Sequence, residues 1–417
     1  MFEKIMEHLV GVRKCLVRIL GIGVLFLPLF SYSQDIQTDT LRSINLNEAL
    51  EIAKDNNLQL KNAALKVKQA DKNKPGILDM EELELIYSRG QINSDAVDQC
   101  FQVVQEIGSP LKSVYENKKF DYLMKAQETK QKLIQKQILR DVKLAYFDWI
   151  YLFNKEKILQ EKVDLYNEFR RISELKNELG ETALLEYTTA ETKFLDVKNQ
   201  LSTVYNDMAI AKNNLQNLLN INHTIVPAHD TMKIYRIPYQ MDASGNYKSQ
   251  LLQDYYKQQL NATKQQLKMN KAAYFPDIQL GYFNQEINNE KGFDGLIFGI
   301  SVPLWFLPQK KEIQKAKIQT RIDKNRLKLQ MNKQDKEIKN LAHELNTNHK
   351  QIIYYREKAL KQADMLLNTA KSRYDSEDIE YYEYMQSLKN AYEIKLDYLR
   401  IVKRYNKTAA KLEFYIN

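Results

Sequence analysis

The chain has 417 residues, of which 44% are hydrophobic and 28% charged, with a formal net charge of +9 and a mean hydropathy of −0.55. That balance excludes a polytopic helical membrane protein, and 12 glycines with 8 prolines are too few for a fold made of many tight turns. Long helices are the expected use of such a chain, and basic residues interleaved with acidic ones fit solvated helix faces better than a nucleic-acid patch.

The N-terminus differs from the rest. Arg13, Lys14 and Arg18 precede the apolar run Ile19 to Phe30, and Ser31-Tyr32-Ser33 follows as a small-x-small cleavage pattern. Residues 1–33 therefore read as a signal peptide. The alternative is an anchoring helix, but the run covers only about 18 Å and contains Pro28. Cleavage removes Lys4, Arg13, Lys14 and Arg18 with Glu3 and Glu7, leaving a charge of +7. Cys15 sits inside the signal without the small apolar approach that lipid anchoring needs. Cys100 then remains alone, so packing and assembly take the place of an intrachain disulfide.

The remainder reads as one unit written twice. The first repeat, 34–222, has a helix at Asn45 to Lys74, a β-hairpin at about 80–108, a very long helix at Ser109 to Leu179 and another at Glu181 to Asn220. A connecting segment, 223–245, follows. The second repeat, 246–417, has helices at Asn246 to Tyr274, Gln309 to Tyr374 and Asp378 to Tyr415, with a hairpin at about 277–303. Ile134, Ile138, Val142, Ala145 and Trp149 recur at helical spacing, as do Ile338, Leu341, Leu345 and Ile352. In the last helix Leu388, Ala391, Tyr398, Ile401, Tyr405 and Leu412 form a seam near a 3.5-residue period. A constant offset of 197 pairs Glu186 with Glu383, Tyr187 with Tyr384 and Leu215 with Leu412. Each longest helix spans about 100 Å, and the two shorter helices of a repeat sum to the same length if stacked.

The hairpins alternate with a period of two. Leu296, Phe298, Ile300 and Val302 alternate with Gly295, Ile297, Gly299 and Ser301; Leu83, Leu85 and Tyr87 alternate with polar residues, as do Phe101 and Val103. Four such strands are too few to close in a bilayer, but three copies would supply about twelve, with roughly twelve helical strands wrapping a tube below. The expected fold class is accordingly mainly α with a small β part. It is a duplicated long-helix coiled-coil unit, forming a trimeric α-barrel continuous with a roughly twelve-stranded outer-membrane β-barrel, four strands per chain.

Several stretches resemble the TolC-like outer-membrane efflux factors. Ile44-Asn45-Leu46-Asn47-Glu48-Ala49-Leu50, with Ala53 and Asn57, looks like the family's opening helix; Gly180-Glu181-Thr182-Ala183-Leu184-Leu185-Glu186-Tyr187 looks like its turn and helix start. Arg373-Tyr374-Asp375-Ser376-Glu377 begins the second copy, with Glu377 where the family usually has glycine. The resemblance implies a homotrimer in the cell outer membrane that meets outer-membrane lipid. It also implies a periplasmic tunnel docked on an adaptor (membrane fusion) protein and an inner-membrane pump, conducting solutes passively. Pro110 and Pro303 look like the family's swivels between barrel and tube. Pro303-Leu304-Trp305 with Pro308-Gln309-Lys310-Lys311 is closer to the heavy-metal efflux branch, whose cargo would be metal cations.

Enzyme chemistry finds no support. His343 and His349 point to different faces of a helix, His223 and His229 flank Pro227 in a connection, and neither a phosphate-cradling loop nor a triad spacing is visible. No cofactor, metal site or nucleic-acid partner is expected. By resemblance, Arg373, Asp375, Glu377, Asp378 and Glu380 are candidates for the periplasmic aperture, where acidic rings would favour cations, the alternative being an ordinary solvated turn. Gly180, Glu181 and Thr182 are candidates for the tip on which an adaptor docks. The competing functional reading is a periplasmic coiled-coil structural or adaptor protein without a membrane barrel.

Overall fold

The computed structural model describes residues 42–75, 83–180, 184–228, 231–237, 250–302 and 307–416. The expected signal peptide, His229, Glu181, Thr182, Pro303 and residues 238–245 of the connecting segment lie outside these residues.

The described residues begin with strand β1 (Arg42–Ile44) and helix α1 (Leu46–Asn56). Asn45 opens α1 with a capping box: its Oδ1 accepts from the Glu48 amide at 3.0 Å, and Glu48 Oε2 accepts from the Asn45 amide at 2.9 Å. The helix expected to run on to Lys74 stops at Asn57, whose extended backbone (ψ 122) starts α2 (Leu58–Lys72). Asn57 Oδ1 caps the new helix through the Gln59 and Leu60 amides, and its Nδ2 donates to the Leu218 carbonyl at 2.8 Å. Strands β2 (Leu83–Gly90) and β3 (Asp98–Gly108) form the first hairpin. Helix α3 (Pro110–Glu178) then runs unbroken for 69 residues, started by a proline whose fixed φ suits the first helical position. Helix α4 (Leu184–Leu219) returns, and β4 (Ile225–Pro227) pairs in parallel with β1.

The second repeat follows as α5 (Gln250–Ala272), β5 (Asp277–Ile287), β6 (Glu290–Ser301), α6 (Leu307–Tyr354), a π-helical turn (Tyr355–Ala359), α7 (Leu360–Asp375) and α8 (Tyr381–Ile416). Helices α4 and α8 are both 36 residues long, and the span from Leu307 to Asp375 repeats that of α3. The repeat is imperfect at one place: the π turn interrupts the second rod, whereas α3 is α-helical throughout.

The rods lie side by side. Near the sheet α3 is flanked by α2 and α5, with α6 beyond; at the far end α3 is flanked by α4 and α8, with α7 beyond. Trp149, Val142, Leu215, Leu219, Ala53 and Ile225 fill a core where α1, α3, α4 and β4 meet. Burying each large apolar side chain there contributes on the order of 2 kcal/mol. The connection 231–237 is strapped across the rods by two asparagines. Asn406 accepts from the Tyr235 amide and donates to the Lys233 carbonyl, both at 2.8 Å, and Asn154 accepts from the Met232 amide at 3.3 Å. Beneath it, Lys143 bridges Glu413 at 2.5 Å and Tyr235 donates to the same carboxylate at 2.7 Å, which pushes the Tyr235 phenol up through burial and that carboxylate.

The sheet corrects the expected fold. It is a single open antiparallel sheet in the order β2-β3-β5-β6, with β2 and β6 as free edges, not a closed barrel. β3 pairs with β5, joining the two hairpins within one chain. Strands so few cannot curl through a full circle, which takes about eight. The helices likewise form a layer and not a closed tube, so the trimeric α-barrel continuous with a β-barrel is not what the structure shows. The expected placement in the outer membrane, with a periplasmic tunnel and transmembrane strands, rested on that closure and falls with it. Among the described residues, no helix is long and apolar enough to cross a membrane.

Register puts Leu85, Val103, Tyr282 and Leu296 in one row across the sheet, and Leu83, Gln105, Leu280 and Phe298 in the next. Most of this face is exposed, Phe298 by 78% and Ile300 by 72%. The opposite face is mixed, with Glu84, Gln102 and Gln279 beside Ile86, Val104, Phe283 and Ile297, and Gly295 lies directly against the Phe283 ring.

Candidate functional site

The two helical turns far from the sheet form the candidate site. At the first, α3 ends through bonds from the Leu179 amide to the Leu175 carbonyl and from the Gly180 amide to the Asn177 carbonyl, both 3.1 Å. Gly180 has φ +74, a left-handed conformation that a side chain would strain. Around it Leu175, Leu179, Leu184 and Leu185 are all more than half exposed.

At the second, α7 ends in a Schellman arrangement. The Asp378 amide reaches back to the Arg373 carbonyl at 2.8 Å, the Glu377 amide to the Tyr374 carbonyl at 3.1 Å, and Ser376 Oγ donates to the Ser372 carbonyl at 3.0 Å. Glu377 holds the left-handed position, φ +60. It is the repeat counterpart of Gly180, so the turn keeps its geometry without the glycine. Arg373, Asp375, Glu377, Asp378 and Glu380 are all exposed. Among the described residues none of the five is ion-paired with another; the turn is held by backbone hydrogen bonds and by Ser376, whose Oγ also lies 3.2 Å from Asp378 Oδ2.

Behind the turns lies a feature that sequence reading missed. Phe169 of α3 packs against Tyr374, Tyr381 and Tyr384 with ring centroids 5.5, 5.9 and 4.7 Å away, and Tyr374 stacks on Tyr384 at 4.8 Å with a 6° interplanar angle. The cluster belongs to a core with Leu159, Val197, Leu201 and Leu388 that binds both hairpins into one end. Burial, then the charge of Asp375, pushes the Tyr384 phenol up to about 12; burial, then Glu186, raises Tyr381 as well. The Tyr381 hydroxyl is buried without a hydrogen-bond partner. The signal was present as Tyr381-Tyr382-Glu383-Tyr384, where aromatic residues crowd one end of a helix.

At the sheet end Ser109 alone separates the last strand residue, Gly108, from Pro110 at the start of α3, and β3 has a register irregularity between Glu106 and Gly108. His343 and His349 lie on α6 with no metal-ligating company. Among the described residues, no group of three or more His, Cys, Asp or Glu could hold a metal ion.

No protein-family model matches the chain, and no curated protein matches it. Solved structures do. CusC, described for conformational changes accompanying folding and transmembrane channel formation, superposes with a TM-score of 0.75 at 16% identity over 95% of this chain and 99% of its own. The Campylobacter jejuni CmeC outer membrane channel gives 0.75 at 15% identity over 94% of both chains, and the outer-membrane channel OprN 0.76 at 14% over 89% and 90%. The chain has the fold of the TolC-like channels. Identities this low establish the fold alone, and near-equal scores across these channels single out no heavy-metal branch.

Proposed function

We propose that this chain is a periplasmic, non-catalytic coiled-coil component of an export assembly. In this reading it self-associates as a homotrimer and works beside an adaptor protein and an inner-membrane pump. The observation that carries the reading is the pair of parallel-running rods, α3 and α6 to α7, each about 100 Å long, joined through α5 and α8 and meeting at a common end where both turns project. Such a reach suits a structural bridge. The exposed apolar row on the sheet supports self-association, since a contiguous patch of this kind marks an interaction surface.

The repeats 34–222 and 246–417 are the structural units of this proposal. The leucine-bearing turn at Gly180, with Glu181 and Thr182, is the adaptor contact. The turn from Arg373 to Glu380 is the charged surface beside it, and Pro110 with Pro303 marks the corners between sheet and rods. Pro303-Leu304-Trp305 supports a metal-exporting pump as the partner system.

Photocross-linkers at Leu179 and Ser376, read together with osmotic-shock fractionation, test the reading. Cross-links to an adaptor from protein released without detergent are expected. Recovery only as a detergent-requiring, membrane-embedded particle overturns it.

A further inference from the structure

Exposed charge is segregated on this molecule. From Lys310 to Lys339, α6 carries eleven lysine and arginine residues against four acidic ones, and one of those four, Asp323, is buried and held by Thr263 Oγ1 at 2.7 Å and Arg326 at 3.3 Å. From Asp375 to Glu393 the balance reverses, with six acidic residues against Lys389.

Part of this basic surface is ordered around the helices. On α5 the exposed lysines are Lys257, Lys264, Lys268 and Lys271; on α6 all eleven basic residues are exposed, with Lys310, Lys317, Arg321, Lys324 and Lys328 on one face and Lys311, Lys315, Arg326, Lys333 and Lys336 on another. The α5 set and the first α6 set begin with the same progression, steps of seven, four and three residues, so each forms one stripe along one face. The helices are antiparallel neighbours: Thr263 meets Asp323, and Asn270 Nδ2 donates to the Glu312 carbonyl at 3.2 Å. Measured around each helix from those contacts, the stripes turn to the same side of the layer. The exposed apolar residues Ile318, Ile322 and Leu329 occupy a different face of α6 and are left for self-association.

We propose that the groove between α5 and α6 is a docking surface for an acidic α-helix of a partner protein. A helix with glutamates or aspartates in a seven-residue repeat presents carboxylates at the spacing the two stripes share, as in charged flanks of coiled coils. Other occupants fit less well. No aromatic residue lies between Leu307 and Asn340 to stack on bases, and four of the five stripe cations on α6 are lysines, not bidentate arginines. A second copy in register brings basic helices to this level, because its own acidic stretch lies at the far end.

The test uses the full chain and a synthetic helix with glutamate at heptad positions, followed by fluorescence anisotropy at low and high salt. Binding that weakens as salt rises is expected. K264E/K271E/K317E/K324E should lower affinity about tenfold or more, the matching Lys→Gln set by less, and K193E/K198E on α4 not at all, with helical circular dichroism unchanged. Absence of binding, indifference to the charge reversal, or tighter binding of a single-stranded oligonucleotide or of anionic vesicles overturns the proposal. The trimer and adaptor reading is untouched by any of these results.

Discussion

The two turns at the far end of the rods occupy equivalent places in the two repeats and differ in chemistry, although each puts a left-handed residue just past the end of its first helix. The first closes with Gly180 at φ +74 among exposed leucines; the second closes with Glu377 at φ +60 among exposed carboxylates. The helices on either side of the second turn supply a stacked pair of aromatic rings, Tyr374 on Tyr384, with Phe169 of α3 against both. A strained residue is thus tolerated where the helices on either side are clamped by packing. The comparison teaches that shape at this end is set by the rods, which leaves the turn side chains free to specialise.

The largest effect should come from the clamp. Tyr384 is 3% exposed, and Tyr384→Ala should destabilise the second hairpin by about 3–5 kcal/mol, the range for removing a large buried aromatic. Hydrogen exchange should show opening from Ile379 through Leu388. Tyr187→Ala at the half-buried counterpart in the first hairpin should cost far less. Equal costs would mean that the clamp is not what separates the turns.

Alkali provides a second handle on the same cluster. Burial raises the Tyr384 phenol from 10.0 to about 12, so folding favours its neutral form. That contribution is complete below pH 10 and is lost as the pH climbs through about 12. An ultraviolet titration should show late-ionising phenols that move to the ordinary range in Tyr384→Ala, with unfolding beginning at the second hairpin. A first hairpin that opens at lower pH would contradict this.

Local features of the sequence foretell some of this and not the rest. The long helix at 110–178 follows from Ile138, Val142 and Trp149 recurring at helical spacing in a stretch free of glycine and, after Pro110, of proline, a property of neighbours in the chain. The break at Asn57 does not follow, because it depends on a hydrogen bond to Leu218, 161 residues away. Strand alternation likewise shows which face of each hairpin is apolar, but not which strands pair. The structure joins β3 to β5 and leaves the sheet open, and edge pairing is a non-local outcome that no period encodes. The acidic turn was visible as composition. Its aromatic clamp was not, since Phe169 comes from the other repeat.

Gly180→Ala should destabilise the first turn by about 1 kcal/mol, the cost of a Cβ in the left-handed region; open space around the position leaves no clash to add to it. The reciprocal change, Glu377→Gly, has the smallest expected effect and the most informative sign. Relief of the left-handed strain favours the variant by about 1 kcal/mol, while the extra freedom of glycine in the unfolded chain takes back roughly half of it. A net gain of about 0.5 kcal/mol in denaturant melting is therefore expected. If the variant is instead less stable, the Glu377 side chain makes a stabilising interaction that its exposed position and φ do not suggest. If it is more stable but binds the adaptor less well, the carboxylate is kept at the turn for its charge, and the strain is the cost of placing that charge at the end of the rod.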